Sequence, residues 1–451
     1  MATKLCRIAQ KAHDEPKLRF VNLFHLLKVE LLRECFGKLR ASAAPGIDEV
    51  TKEEYARHLE ENLTALERRL HQMGYRPQAV RRVYIPKPGT DKQRPLGIPV
   101  LEDKLVQAAM VRILEQIYEQ DFIDDSYGFR PGRGCHDALR ALSQTVERGD
   151  IEWIVEADIK GFFDHVNHDH LMQFLSQRIG DPRMQRMVKR FLIAGITEDG
   201  VFSASEEGTP QGGVISPLLA NVYLHYVLDR WFEKEFRKGC YGRTRLIRYA
   251  DDFVVCFQYQ SEAEEFQRQL VARLAEFGLE VEPAKTKVIA FGPSAATDLR
   301  LYGGDRAKPD TFDFLGFTHY CSRSRNGKRF RMKRRTSAKR LRTKLVAFKD
   351  WLRQNRAKLK TRELWEKAAQ KIEGHYRYYG ISDNFARLNV FRHAAERLLL
   401  KWLNRRGGKR KMNWPKFKKM ASRFPLPQPK IHVRLFQTTP PTPQQLTFTF
   451  G

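Results

Sequence analysis

Cysteine is scarce in this chain, and what there is lies scattered. Six cysteines stand at 6, 35, 135, 240, 256 and 321, and no two form a CxxC pair. A disulfide framework or a zinc knuckle is therefore not expected, and reduced thiols in a cytoplasmic protein fit better. Long apolar runs are missing too; none approaches the ~20 residues that a membrane span requires. The first residues, Met1 to Arg7, lack the apolar core and small-residue cleavage site of a secretory signal. No internal repeat is present.

Acidic residues are almost absent from one part of the chain. Residues 321–451 hold 36 Lys and Arg against 6 Asp and Glu, whereas residues 1–320 hold 45 against 47. The net charge of +28 thus belongs to the C-terminal third, and the rest is close to neutral. One-sided charge of this density points to a polyanion partner, most simply nucleic acid. With 451 residues, 42% of them hydrophobic, the chain is long enough for two or three folded domains.

Periodicity gives a mixed architecture. Apolar residues at helical spacing predict a helix over 17–40, and a charged helix follows at 51–73. Val80 to Ile85 reads as a strand, 102–120 as a helix and Glu152 to Asp158 as a strand. Helices are expected over 168–193, 216–237 and 261–277, a hairpin around Tyr249-Ala-Asp-Asp, and one strand from Phe312 to His319. From about 336 the strand signals fade, and 337–405 reads as three helices. The prolines after 425 suggest an extended arm. The fold class expected is α+β.

Two places carry paired or exposed acids. Asp251 and Asp252 sit between apolar strands, where adjacent carboxylates repel each other unless a hard cation such as Mg²⁺ relieves them. Taken alone, such a pair is more often a solvated turn. Asp158 ends a second apolar strand, where an acid is costly without a partner. A metal shared with Asp251 would supply one. Two ions so held can activate a hydroxyl and stabilise a leaving pyrophosphate. Asp164 reads either as a cap for the following helix or as support for the site.

These residues lie in an ordered series. Ala157-Asp158…Phe162-Phe163-Asp164, Pro210-Gln211-Gly212-Gly213…Ser216-Pro217, Tyr249-Ala250-Asp251-Asp252 and Phe314-Leu315-Gly316-Phe317 resemble the palm motifs of reverse transcriptases. Upstream, Ile85-Pro86-Lys87-Pro88…Arg94-Pro95-Leu96-Gly97 and Tyr127-Gly128-Phe129-Arg130 resemble the fingers blocks. The resemblance implies a right-hand polymerase with fingers and palm over 1–320, a helical thumb and maturase (X) domain over 321–405, and a basic, then Pro-rich tail over 406–451. It implies two Mg²⁺ ions, with Mn²⁺ as a substitute and no zinc, held by Asp158, Asp251, Asp252 and the carbonyl of Ile159. Lys87, Arg94 and Gln211 would bind the incoming dNTP. Phe163 would exclude a 2′-hydroxyl, or be an ordinary core residue. Lys285 would protonate pyrophosphate, with Lys287 as its rival. Phe314, Leu315, Gly316 and Phe317 would form the primer grip.

Within that family the chain most resembles the proteins encoded by bacterial group II introns. Gly374-His375-Tyr376-Arg377-Tyr378-Tyr379-Gly380 and the helix near Arg392–Trp402 are similar to the maturase domain. The partners implied are group II intron RNA, an RNA template with a DNA primer, target DNA and dNTPs. A homodimer is allowed, no membrane partner is expected, and the setting is cytoplasmic and nucleoid-associated. Arg377, Tyr378, Arg405, Arg406, Lys409, Arg410 and Lys411 are the candidate RNA-binding residues. No cysteine follows 321, so the Cys/His-rich nuclease of many relatives is not expected. Two readings compete: a domesticated or antiphage-defence reverse transcriptase, and an RNA-binding splicing factor without polymerase activity.

Overall fold

The computed structural model describes residues 2–86, 93–198, 201–204, 207–209, 212–295, 309–324, 326–406 and 412–435. Helix α1 (Ala2–Asp14) lies ahead of the region where the first helix was expected. The helix expected over 17–40 is broken: a 3-10 turn at Phe24–Leu26 precedes α2 (Val29–Lys38). The cause is a side chain far along the sequence. The Asp181 carboxylate accepts the amides of Leu23 and Phe24, each at 2.7 Å, and fixes the chain where a helix would have run. The charged stretch also divides, into α3 (Lys52–Ala56), opened by a Thr51–Glu54 capping box, and α4 (Leu59–His71).

Strands β1 (Val80–Pro86) and β2 (Gln93–Ile98) pair antiparallel, and α5 (Leu101–Asp121), α6 (Cys135–Val146) and β3 (Trp153–Asp158) follow. The region 168–193 holds two helices, α7 (His168–Arg178) and α8 (Pro182–Leu192). Asp181 separates them by capping α8 through the amides of Arg183 and Met184, and Pro182 starts the new helix. Short strands β4 (Ile196–Glu198) and β5 (Val201–Ser203) extend the first sheet in the order β2-β1-β4-β5. Helix α9 (Ser216–Leu224) runs through a π turn at His225–Asp229 into α10 (Arg230–Lys234).

The central sheet contains β6 (Thr244–Tyr249), β7 (Asp252–Phe257), β3 and β8 (Lys287–Ala290), with α11 (Gln260–Ala275) between β7 and β8. Its order is β6-β7-β3-β8 and every pair is antiparallel. Alternate residues feed two different cores. Val155, Ala157, Phe253, Val255 and Phe257 join the core with α5, α9 and α11. Ile154, Ile247, Val254 and Cys256 join the core with α6 and the C-terminal helices. With both faces covered, the strand ends are where the sheet can present polar groups.

Residues 312–319 form a hairpin rather than one strand. β9 (Thr311–Phe314) turns at Leu315-Gly316 into β10 (Phe317–Arg323), which pairs with β11 (Phe330–Thr336). The division expected at 320/321 falls inside β10. Beyond it, α12 (Ala338–Asn355), α13 (Thr361–Tyr379) and α14 (Phe385–Asn404) occupy the region where three helices were expected, and α15 (Trp414–Arg423) follows. The segment after 425 does not begin as a free arm. Leu426 and Leu435 are buried, and Val433 bridges to Ile381. The rest of the proline-rich tail lies outside the described residues. The mixed helix-and-sheet architecture agrees with the fold class expected. Among the described residues, no helix is long and apolar enough to cross a membrane.

Candidate active site

The hairpin between β6 and β7 reverses in two residues, because Tyr249 pairs with Asp252. That leaves Ala250 and Asp251 in the turn, with Ala250 at φ +58°. A residue with a Cβ adopts this conformation at a cost of about 1–3 kcal/mol, and it persists only where the surroundings fix it. Arg248 does so. Its guanidinium donates to the Ala250 carbonyl and to Asn221 Oδ1, both at 2.9 Å, and to both oxygens of Asp229 at 2.7 and 2.6 Å. The Arg248 and Asp229 side chains are fully buried. Asn221 in turn donates to the Gly128 carbonyl at 2.7 Å. Gly128 passes so close to the turn that a Cβ would lie 2.3 Å from the Ala250 nitrogen, which requires glycine there.

This frame sets three carboxylates at one end of the sheet. β3 and β7 pair Asp158 directly with Asp252, and Asp251 is the next residue back along the turn. Burial pushes the Asp252 carboxyl up to about 7; Asp251, Asp158 and Glu156 add repulsion, and a backbone hydrogen bond from Leu315 opposes them. Asp251 is also raised, by burial and then by Asp158, against its own backbone amide, Arg94 and Arg248. Glu156, two residues before Asp158, is pushed up to about 7 by burial and by Asp313.

Lys285 forms an ion pair with Asp158. It ends a short 3-10 turn, Pro283–Lys285, and Glu282 N–H anchors the start of that turn on the Asp158 carbonyl at 2.8 Å. Lys287 stands two residues back in the sheet, opposite Glu156. Of the two lysines weighed from the sequence, Lys285 is the one at the carboxylates. Phe163 is half-buried, its ring edge-on to the buried Phe162 at 5.3 Å. Asp164 does not cap α7; Asn167 does, accepting the His170 amide. Arg94, across from Ile85 on β2, is exposed and close enough to act on Asp251. Lys87, Gln211, Lys409, Arg410 and Lys411 lie outside the described residues.

Phe314, Leu315, Gly316 and Phe317 form the tight end of the β9–β10 hairpin beside Asp252. The aromatics of this region could serve stacking or packing; Tyr376, Tyr379 and Trp402 are buried in the helical core. Tyr378 stacks on Phe317 and donates its hydroxyl to the Leu315 carbonyl at 3.0 Å. Arg377 is exposed and paired with Glu373. Arg405 lies over the Trp402 ring, and Arg406 donates to the Leu359 carbonyl. Sequence reasoning missed the supporting residues. Arg248 and Asn221 stand inside or beside the quoted motifs, but nothing local marks Asp229 as their partner.

Among the described residues, no three acidic, Cys or His side chains stand close enough to form a ready-made metal cage. The donor set still fits a hard divalent cation in kind. It is all oxygen, it converges by strand register, and its mutual repulsion is what such a cation relieves.

A family profile described as "Reverse transcriptase (RNA-dependent DNA polymerase)" matches residues 85–319. The chain is 40% identical over 223 residues to the group II intron-encoded protein LtrA of Lactococcus lactis subsp. cremoris, covering 49% of this chain and 36% of that protein. It is 37% identical over 281 residues to protein YkfC of Escherichia coli (strain K12), covering 55% of this chain and 74% of YkfC. It is 27% identical over 176 residues to the Arabidopsis thaliana protein named nuclear intron maturase 2, mitochondrial, covering 30% of this chain and 24% of that protein. The matched part of this chain thus spans about a third of LtrA's length.

A stability prediction follows from the raised acids. A carboxyl whose folded pKa exceeds its unfolded value of ~3.9 contributes stability below that value and loses it as pH rises through the folded pKa. For Asp252 and Glu156 that window ends at about 7. In EDTA, melting temperature should therefore fall between pH 6 and pH 8, and Mg²⁺ should restore more of it at pH 8 than at pH 6. Asp252→Asn should flatten both effects. Equal Mg²⁺ shifts at the two pH values in native protein would contradict the electrostatic reading.

Proposed function

Because the chain belongs to the reverse transcriptase (RNA-dependent DNA polymerase) family, we propose that it extends a DNA primer on an RNA template. The observation that carries this reading is the register of β3 against β7, which sets Asp158 opposite Asp252 with Asp251 on the adjoining turn. In this reading the central sheet is the palm, the β1–β2 hairpin belongs to the fingers, and the helices after Thr336 form the thumb and maturase region.

The roles proposed are those the motif resemblance implies, supported for the described residues by where they stand. Asp158, Asp251, Asp252 and the Ile159 carbonyl would hold two Mg²⁺ ions, with Mn²⁺ as a substitute; bound there, the metal supplies activation of the primer 3′-hydroxyl and charge stabilisation at the leaving pyrophosphate. Arg94 and Lys87 bind the triphosphate, and Gln211 helps to position the dNTP. Lys285, already at Asp158, donates a proton to the departing pyrophosphate. The half-buried Phe163 offers ring area where a sugar edge would lie and excludes a 2′-hydroxyl. The Phe314–Phe317 turn supports the primer end next to Asp252.

The same protein acts as a maturase, binding group II intron RNA to assist splicing and retrohoming. What supports this is the basic C-terminal third together with the similarity to LtrA and to the Arabidopsis maturase. Since Tyr376, Tyr379 and Trp402 are buried, RNA contact rests mainly on exposed cations such as Arg377 and Arg405, and on phosphate neutralisation.

Asp251→Asn or Asp158→Asn should abolish extension on poly-rA/oligo-dT with Mg²⁺ while intron RNA binding keeps its affinity and steep salt dependence. Retained extension would remove these residues from catalysis; lost RNA binding in the same variants would undo the separation of the two activities. Phe163→Ala should admit ribonucleotides in single-nucleotide incorporation, and unchanged sugar discrimination would return Phe163 to the core.

A further inference from the structure

The turn between β9 and β10 is strained where it meets the catalytic carboxylate. Phe314 pairs with Phe317, so only Leu315 and Gly316 make the turn, at φ +50° and +80°. Two positive φ values in a two-residue hairpin are the type I′ geometry, which favours Asn-Gly and penalises a leucine at the first position. Something must hold Leu315 there. The clamps all come from the C-terminal helical segment. Ser337, the N-cap of α12, donates its amide to the Gly316 carbonyl at 3.1 Å. The Tyr379 hydroxyl lies over Gly316, so that a Cβ there would meet it at 3.2 Å. Tyr378, on α13, donates its hydroxyl to the Leu315 carbonyl at 3.0 Å.

Tyr378 is itself fixed on both sides. Its ring stacks on Phe317 at 6.0 Å with planes 13° apart and packs against Tyr379 at 4.8 Å. Its backbone carbonyl lies 2.8 Å from His136 Nε2 on α6, a nitrogen that must carry the proton because a carbonyl can only accept. The Cys135 thiol stands near the hydroxyl. Across the Leu315 Cα, in the preceding peptide unit, the Leu315 backbone N–H hydrogen-bonds to Asp252.

We propose that Tyr378 is a positioning residue for catalysis: by holding the strained Leu315 from the C-terminal helices, it sets the backbone donor that orients Asp252, and so ties helix docking to the geometry of the active site. The proposal rests on the polymerase reading given above. It assigns Tyr378 to the palm side of the helical segment instead of to RNA. The hydroxyl touches no reacting group; it acts through the backbone of one residue, Leu315, and only while α13 sits against the hairpin.

The test is Tyr378→Phe in the full-length protein, which keeps the ring stack and removes only the hydroxyl. Two measurements separate the possibilities. In the free protein, hydrogen exchange resolved at the Leu315 amide should quicken, while the Phe317 and Thr318 amides of the neighbouring ladder stay unchanged. In single-turnover incorporation on an RNA template, normalised by active-site titration, the maximal rate should fall about five- to tenfold, the size of one lost hydrogen bond. Apparent affinities for dNTP and for primer–template should stay within twofold. Cys135→Ala, which removes the nearby thiol, should change neither exchange nor rate. An unchanged maximal rate, or unchanged exchange at Leu315, overturns the proposal. A loss confined to primer–template affinity does so too, since it would make Tyr378 a binding contact. If the native protein incorporates nothing, the polymerase reading fails, while the exchange experiment still decides whether the hydroxyl holds the turn.

Discussion

A buried charge pair underlies the site. Arg248 and Asp229 meet inside the protein with neither exposed, joined by two short hydrogen bonds. Such a pair is expensive to desolvate, and removing one partner of a buried pair costs about 3–5 kcal/mol. It is no bargain as a source of stability. What it fixes is shape: the remaining donors of Arg248 hold Ala250 in a left-handed turn, and that turn presents Asp251 and Asp252. Asp229 reaches the pair from a π turn, an irregularity that occurs often at functional sites.

The sheet around this pair explains why the chemistry sits at a strand end. Both faces of the central sheet are packed, one against α5, α9 and α11 and the other against α6 and the helices after Thr336. An acid in the middle of such a strand must give up its charge or find a partner, and Glu156, pushed up to about 7, shows the strength of that pressure. Two residues further along, Asp158 is partly open and has Lys285. The β9–β10 hairpin closes the same end from the C-terminal side. The carboxylate edge is thus bounded by elements that the chain brings in from four separated regions.

Much of this was legible in the sequence because the relevant signals are local. Asp158, Asp251 and Asp252 each end or interrupt an apolar strand, and the three helices over 337–405 repeat with clear period. The misreadings come from contacts that join distant residues. No pattern within 17–40 reveals that Asp181 will take the amides of Leu23 and Phe24. The Phe312–His319 run looks continuous because a Leu at 315 gives no turn signal; the contacts that brace the turn come from Tyr378 and Ser337, distant in the sequence. The Asp181-Pro182 pair, by contrast, was a readable helix start that was passed over. The aromatics at 376, 378 and 379 follow a spacing shared by core packing and by base stacking, and only the folded arrangement distinguishes the two.

The Arg248–Asp229 pair fixes the turn that carries Asp251 and Asp252. The most direct test is single-nucleotide incorporation on an RNA template by Asp229→Asn, normalised to correctly folded protein by circular dichroism and active-site titration. Asparagine keeps the shape and removes the charge, leaving Arg248 buried without its counterion. The account predicts that incorporation per folded site falls at least about tenfold, equivalent to 1.4 kcal/mol at the barrier. Incorporation within twofold of the native rate would show that the turn is held by something else.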